Sequence, residues 1–137
     1  MPAFADLAMG QSVVRVFCLT TDDVQAFATI SGDSNPVHLD EKYAAASPFG
    51  QRIAHGMLSA GYISATIAND LPGPGSIYLS QELKFLAPVF HNQDLTVRLT
   101  VIGLREDKAH VTLDCQVLNE AGDVVLAGEA LVKAPRI

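Results

Sequence analysis

The feature that most constrains this fold is a period-two alternation of apolar residues in the second half of the chain. Apolar residues alternate with more polar neighbours from Ile77 to Phe85, from Leu95 to Val101 and from Val111 to Val117. A last apolar segment runs from Val124 to Val132. Because successive side chains of a strand point to opposite faces, this pattern predicts antiparallel strands that are buried on one face.

A single long helix is expected beside these strands. The segment Gly56–Asn69 is apolar or small at nearly every position, which is typical of a helix buried on nearly all sides. The first half of the chain predicts a strand over Ser12–Leu19, a helix N-capped by Thr21 and ended at Gly32, and a short helix capped by Asp40. We therefore expect one α+β domain over residues 1–137, with an antiparallel sheet wrapped around one long central helix.

Composition excludes several classes of protein. Apolar residues make up 49% and charged residues 18% of the 137 residues, which excludes disorder. The net charge of −6 and the pI near 5.0 argue against a nucleic-acid partner. The N-terminus lacks a basic region followed by an apolar run, and the most apolar segment is too short to span a bilayer, so we expect no membrane association and a cytoplasmic location. Cys18 and Cys115 are expected to be buried free thiols.

Polar groups with catalytic potential cluster around the start of the long helix. The segment ISGDSNPVHLD, from Ile30 to Asp40, contains Asp33, Asn35 and His38, and the helix begins at His55-Gly56-Met57. The first N–H groups of a helix have no internal partner and lie at the positive end of its dipole, so the Gly56 or Met57 N–H is suited to an oxyanion. An Asp and a His beside such a site suggest acid–base chemistry next to a polarised carbonyl.

Structural roles account for some of the same residues. Asp33 could simply cap its turn, because Asp favours such positions, and Asn35-Pro36 is ordinary turn chemistry. His55 is expected to be a structural histidine that bonds to backbone. A metal site made of Asp33, His38 and His55 has the right ligand chemistry but matches no known metal-binding spacing, so we expect no metal.

Three motifs together resemble a known family. Asp33-Ser34-Asn35-Pro36-Val37-His38, His55-Gly56-Met57 and the run LPGPGSIYL from Leu71 to Leu79 resemble the (R)-specific enoyl-CoA hydratases of the MaoC-like, hydratase-2 group, in the single hot-dog form found in bacteria. The likeness covers the chain from about Leu7 to Val132. It implies a hot-dog fold, a homodimer in which two sheets join, an acyl-CoA substrate and no cofactor.

The resemblance also implies a reaction and roles for residues. The family converts trans-2-enoyl-CoA to (R)-3-hydroxyacyl-CoA. Asp33 and His38 would hold one water between them, with His38 as the base and Asp33 delivering a proton to C2 on the same face. The Gly56 N–H would stabilise the thioester enolate, Asn35 would hold the turn or orient the pair, and Ser64 would hydrogen-bond within the site.

The sequence gives less information about the residues that would bind the acyl chain and the CoA part of the substrate. Ile67 and Val132 are more often core residues, yet either could line an acyl tunnel. The CoA phosphates need positive groups, for which the candidates are Arg52, Lys84, Arg105 and Lys108. The resemblance implies short or medium acyl chains and a place in fatty-acid or polyhydroxyalkanoate metabolism.

Other functions remain open on the same fold, because fold alone does not decide activity. The alternatives are an acyl-CoA thioesterase, a dehydratase acting on (R)-3-hydroxyacyl thioesters of CoA or an acyl-carrier protein, and a non-catalytic acyl-CoA-binding subunit. The sequence D-x-N-P-x-H favours hydration, and release of a free thiol would favour the thioesterase. Loss of Asp33 or His38 would mark the binding subunit, and both are present.

Overall fold

The structure, a computed structural model, describes residues 3–136. Six strands form one antiparallel sheet in the order β1-β4-β5-β6-β2, and β3 also pairs with β6. Four helices precede or connect them, and short 3-10 turns cover Phe4–Asp6 and Glu106–Lys108. The elements are β1 (Ser12–Leu19), α1 (Thr21–Ser31), α2 (Pro36–Leu39), α3 (Glu41–Ala45), α4 (Gly56–Asn69), β2 (Ile77–Gln81), β3 (Lys84–Phe85), β4 (Gln93–Arg105), β5 (His110–Leu118) and β6 (Val124–Lys133).

The sheet wraps around α4, as the sequence predicts. The alternating residues of β4 and β5 are fully buried, and cross-strand pairs such as Val97–Val117 and Leu99–Cys115 point their side chains toward the helix. Helix α4 packs against β4, β5 and β6 through Ile63 and its neighbours. The α+β hot-dog architecture is therefore confirmed.

Helix α4 has the predicted bounds, but the expectation that it is buried on nearly every side is wrong. Ser59, Ile63, Thr66 and Ile67 are buried. On the opposite side Gly61 is exposed and Met57 is 57% exposed. A single curved sheet packs against only one side of the helix. The opposite side is therefore exposed in the single chain.

The alternating segment Ile77 to Phe85 is not one half-buried strand. The chain leaves the sheet after β2 and re-enters at β3, and the backbone of Glu82 passes directly over Gly128 of β6. A Cβ at Gly128 would lie 1.8 Å from the Glu82 carbonyl oxygen, so only glycine permits this crossing. Both strands lie at the sheet edge, where Leu79 and Phe85 are exposed.

The helix termini in the first half agree with expectation except at one cap. Thr20, and not Thr21, caps α1, because its extended backbone lets its side chain accept the Asp23 N–H while Asp23 accepts the Thr20 N–H. Gly32 ends the helix with φ of 80°. Asp40 caps α3 as predicted.

Two remaining expectations concern the cysteines and membranes. Cys115 is a buried free thiol, but Cys18 is exposed, because it lies on the outward face of the edge strand β1. Within residues 3–136, no helix is long and apolar enough to cross a membrane.

Candidate active site

A single helical turn places His38 in the site. Sequence reasoning missed this turn, α2, although Asn35 caps it by accepting the Val37 N–H at 3.2 Å and Pro36 fills its first position. From this turn, His38 Nδ1 reaches the Ile53 carbonyl oxygen at 2.8 Å. Since a carbonyl only accepts, Nδ1 holds the proton, and the lone pair of Nε2 is free to act as a base.

Burial keeps the His38 imidazole neutral. The side chain is 8% exposed, and burial is the main cause that lowers the pKa of His38 below its usual value. The nearby His55 also lowers this pKa, whereas the Ile53 carbonyl and Asp33 raise it. A neutral imidazole with a free Nε2 at neutral pH has the properties of a general base.

Asp33 lies in the loop between α1 and α2. Its Oδ1 accepts the Asn35 N–H at 3.2 Å, and its own N–H donates to Ser31 Oγ at 3.1 Å, so Asp33 does cap its turn. The residue is exposed in the single chain.

His55 connects the Asp33 loop to the start of α4. Its Nε2–H donates to the Asp33 carbonyl at 3.0 Å, which is the structural role the sequence suggests. Its ring contacts the His38 ring at a tilt of 32°, with the ring centroids 3.9 Å apart. His55 therefore holds both members of the predicted pair at the N-terminus of α4.

The structure brings one side-chain ligand atom of each of Asp33, His38 and His55 within 4.8 Å of the other two. One water between Asp33 and His38 fits this spacing, and so by geometry does a metal ion. One nitrogen of each imidazole already forms a hydrogen bond to a backbone carbonyl. His38 Nε2 and His55 Nδ1 are therefore the nitrogens that could bind a ligand. The His55 Nδ1 is buried and has no protein partner among the described residues.

A cavity of about 490 Å³ opens beside His38, and Asp33 is not among the residues that line it. His38, Gly56 and Ser59 line it, together with apolar residues of the segment 85–89 and of β6. No side chain caps the N-terminus of α4 within the described chain, so its first N–H groups are available to a ligand. The cavity thus combines a base, backbone donors and an apolar wall, which suits an acyl thioester.

Gly56 lies in close contact with the ring of Phe85. A Cβ built on Gly56 would lie 2.5 Å from Cε1 and 2.6 Å from Cδ1 of the Phe85 ring. The φ angle of Gly56 is not positive, so an alanine here would strain no backbone and would only have to displace the ring.

Five predicted residues do not line this cavity: Asp33 and Asn35, which lie in the loop before His38, and Ser64, Ile67 and Val132. Ser64 lines a second cavity of about 660 Å³, together with Gly61 and residues of β2. Ile67 and Val132 are 2% and 0% exposed, and both belong to the hydrophobic core. Their placement does not support a role in the acyl pocket.

The four candidate cations for CoA divide into two groups. Arg52 pairs with Glu41 at 3.0 Å, and Arg105 pairs with Asp107 at 2.8 Å. Lys84 and Lys108 are exposed and form no ion pair within residues 3–136. The two lysines are therefore the freer groups for a phosphate.

Sequence reasoning missed three contributors to the site. The Ile53 carbonyl fixes the tautomer of His38, and no property of an isoleucine side chain could have indicated this. Phe85 was part of an alternating pattern that suggested an inward-facing strand residue. Ser59 lines the cavity with a buried hydroxyl that has no partner among the described residues, but a serine in a helix gives no sequence signal.

Comparison with known proteins agrees with this geometry. Residues 8–121 match the family described as "MaoC like domain". The chain is 47% identical to an (R)-specific enoyl-CoA hydratase of Rhodospirillum rubrum, over 96% of this chain and 91% of that protein. It is 44% identical to a 3-hydroxybutyryl-CoA dehydratase of Methylorubrum extorquens, over 97% of this chain and 84% of that one.

Solved structures show the same likeness. The R-hydratase PhaJ1 of Pseudomonas aeruginosa, in its unliganded form, superposes with a TM-score of 0.94 at 47% identity, covering 98% of this chain and 86% of that one. The (R)-hydratase of Aeromonas caviae involved in PHA biosynthesis superposes with a TM-score of 0.92 at 42% identity, covering 94% and 98% of the two chains.

Proposed function

The chain belongs to the MaoC-like domain family, and we propose that it is an (R)-specific enoyl-CoA hydratase that uses Asp33, His38 and the Gly56 N–H. It adds water to trans-2-enoyl-CoA and forms (R)-3-hydroxyacyl-CoA. The observation that best supports this assignment is that a neutral, buried His38 and the uncapped N-terminus of α4 line the same apolar cavity.

His38 activates the water in this proposal. Its Nε2 takes a proton from a water held between His38 and Asp33, and the hydroxide oxygen forms a bond to C3. The π electrons of the C2–C3 bond move toward the thioester carbonyl and give an enolate. The Ile53 carbonyl holds the imidazole in the required tautomer and stabilises the imidazolium that forms.

Asp33 completes the proton transfer. Its carboxyl group, protonated in the loaded site, gives a proton to C2 on the face where water was added. The proton on His38 then returns to Asp33 and resets the pair. Since Asp33 is exposed in the single chain, we propose that bound substrate and a second copy exclude the water around it.

The start of α4 stabilises the enolate. The Gly56 N–H donates to the thioester oxygen, where negative charge develops in the transition state, and the helix dipole favours that charge. A donor of this kind contributes about 3 kcal/mol. The groups that act are an imidazole, a carboxyl group, a backbone N–H and water, so the proposed reaction needs no cofactor or metal.

We also propose a homodimer joined at β2. This edge strand is exposed, and Leu79 and Tyr78 beside the uncovered face of α4 give an apolar surface that a second copy can bury. Ser64 lies on that surface, so in the dimer it becomes enclosed. The cytoplasmic location stays a prediction, supported by two cysteines that form no disulfide.

The test is turnover of crotonyl-CoA by the purified protein, followed by the loss of enone absorbance. The product is then offered to an (R)-specific and to an (S)-specific 3-hydroxyacyl-CoA dehydrogenase. Asp33→Asn is assayed beside Asp22→Asn, which makes the same change at an exposed position of α1. An (R) product, with loss of turnover in Asp33→Asn alone, supports the proposal.

One outcome would favour another activity. Release of free thiol from an acyl-CoA would indicate a thioesterase. Dehydration of (R)-3-hydroxybutyryl-CoA, the direction that the name of the Methylorubrum relative describes, is the reverse of the proposed hydration and is expected of the same site. The same residues serve both directions, because a catalyst accelerates a reaction and its reverse alike.

A further inference from the structure

We propose that Ser59 is a further catalytic residue, whose hydroxyl group donates a hydrogen bond to the oxygen that is added at C3. The inference rests on the proposed function and deepens it, because that oxygen belongs first to the attacking water and then to the 3-hydroxyl group of the product. The roles proposed for Asp33, His38 and the Gly56 N–H do not use this side chain.

Ser59 lies in the wall of the cavity that contains the base. Among the described residues that line this cavity, only His38 and Ser59 have a nitrogen or an oxygen atom in the side chain. His55 contacts the His38 ring but does not line the cavity. A polar atom of a ligand inside the cavity therefore has two side chains, those of His38 and Ser59, with which it can form a hydrogen bond.

The Ser59 hydroxyl is buried without a partner. The residue is 2% exposed, and its Oγ forms no hydrogen bond to any of the described residues. Thr66, the other hydroxyl residue on the buried side of α4, donates to the Tyr62 carbonyl at 2.8 Å. Burying a hydroxyl without a partner is destabilising, so an unpaired one that lines a cavity points to a ligand.

The position of Ser59 along α4 selects the ligand oxygen that it contacts. In the proposed reaction the thioester oxygen lies in front of the helix, at the Gly56 N–H. Ser59 is three residues further, on the same side of the helix and about 4.5 Å along its axis. The oxygen at C3 lies beside His38 and is the other polar atom of the reacting group. A rotation about the single χ1 angle of Ser59 turns its hydroxyl toward that oxygen.

This contact completes the hydrogen bonds of the attacking water. One hydrogen of the water goes to His38 Nε2, and the other points to the carbonyl oxygen of the protonated Asp33 carboxyl group. One lone pair of the water attacks C3, and the second lone pair accepts the Ser59 O–H. After the addition the same O–H donates to the new 3-hydroxyl group, so the contact persists from water to product.

Two ligands that differ only at C3 test the assignment. (R)-3-Hydroxybutyryl-CoA has the hydroxyl group, and butyryl-CoA has two hydrogens there. Both affinities are measured by calorimetry in an Asp33→Asn/His38→Gln background, which lacks both proposed catalytic side chains and so leaves the hydroxy ligand intact. Adding Ser59→Ala should weaken binding of the hydroxy ligand by about five- to tenfold and binding of butyryl-CoA by less than about twofold.

Turnover is compared between Ser59→Ala and the matched control Thr66→Val. The control removes a buried hydroxyl of α4 that has a partner within the helix and does not line the cavity. Ser59→Ala should lower kcat/KM by about five- to tenfold for hydration of crotonyl-CoA. The fall should be the same for dehydration of (R)-3-hydroxybutyryl-CoA, because the equilibrium constant is fixed. Thr66→Val should stay within about twofold of the wild type in both directions.

Thermal melting distinguishes a catalytic hydroxyl from a structural one. Because alanine has the higher helix propensity and the Ser59 hydroxyl has no partner among the described residues, Ser59→Ala should melt at or above the wild-type temperature. A lower melting temperature with unchanged discrimination between the two ligands would show a structural hydroxyl and overturn the proposal. Equal weakening of both ligands would place the hydroxyl at the thioester oxygen and would also overturn it.

The same two ligands separate failure of this inference from failure of the proposed function. If the wild type turns over no enoyl-CoA, the hydratase assignment is wrong, and both affinities are measured directly in the wild type and in Ser59→Ala. A selective loss for (R)-3-hydroxybutyryl-CoA would still support a hydroxyl-binding role of Ser59. Equal affinities in the two proteins would refute that role.

Discussion

Replacing Gly56 by alanine tests the proposed oxyanion site most directly. The new Cβ would lie 2.5 Å from the nearest carbon of the Phe85 ring. Because carbon atoms pack best at about 3.5–4.0 Å, the ring must retreat by about 1 Å. The half-exposed ring has room to do so, since it borders solvent and two cavities.

The stability of the Gly56→Ala variant should change little. Forcing a methyl group into a packed site costs about 1–3 kcal/mol. Replacing glycine where the backbone suits alanine stabilises by about 0.4–1 kcal/mol, and the φ of Gly56 is not positive. Displacing a half-exposed ring should cost an amount at the low end of the first range, so we expect a net destabilisation of about 1 kcal/mol or less.

Activity should fall much more than stability. The methyl group and the displaced ring obstruct the approach of the thioester to the Gly56 N–H. Loss of one oxyanion donor lowers kcat by about 10²- to 10³-fold. We therefore expect kcat/KM for crotonyl-CoA to fall by about 10²-fold, while the melting temperature stays within a few degrees of the wild-type value.

The double variant Gly56→Ala/Phe85→Ala separates the two causes of that loss. If the displaced ring obstructs the substrate, removing the ring should restore part of the activity, and the two changes should not be additive. If the methyl group itself blocks the N–H, activity stays low. Wild-type activity in Gly56→Ala would refute the assignment of this N–H, and a collapse of the melting temperature would show that the contact is structural.

Four further results are expected. Asp33→Asn and His38→Gln should each lower kcat/KM by about 10²- to 10⁴-fold with circular dichroism unchanged, and near wild-type rates in either would disprove the pair. Because burial lowers the pKa of His38 below 6.5, the neutral base persists as pH falls, so the acid limb of kcat/KM should have its midpoint below pH 6.5; a midpoint above that value contradicts the assignment. Dialysis against EDTA should leave turnover unchanged, whereas loss that a divalent ion restores would indicate a metal at the Asp33–His38–His55 cluster. Leu79→Arg should give a monomer in light scattering, and a persistent dimer would place the interface elsewhere.

The sequence predicts those parts of the fold that depend on local pattern. The alternation in β4 and β5 and the apolar run of α4 gave the sheet, the helix and their packing, because periodicity follows directly from which side chains are buried. The same reasoning failed at β2 and β3. Apolar residues do alternate in this segment, but the chain crosses over Gly128 at the edge of the sheet. At an edge, contacts with distant parts of the chain determine which side chains are buried.

The sequence predicted which residues form the candidate site, but it did not predict the contacts that they make. The segment that contains Asp33 and His38 suggested acid–base chemistry, and the structure brings these two residues together. The tautomer of His38 depends on a carbonyl fifteen positions away in the chain, and the wall of the cavity depends on Phe85. Hydrogen bonds to backbone and contacts between distant segments leave no pattern in a single sequence.

One residue with a structural role explains why this site can be assembled from loops. Loops vary more than the elements that they connect, so catalytic groups on a loop need an anchor. His55 supplies it, since its ring contacts the His38 ring with centroids 3.9 Å apart and its Nε2–H donates to the Asp33 carbonyl at 3.0 Å. The residue itself is the N-cap of α4. The proposed acid, the proposed base and the helix N–H are thereby held together at the start of α4, which packs against the sheet. The distances that catalysis requires consequently depend on the packing of α4 against the sheet and not on the loops themselves.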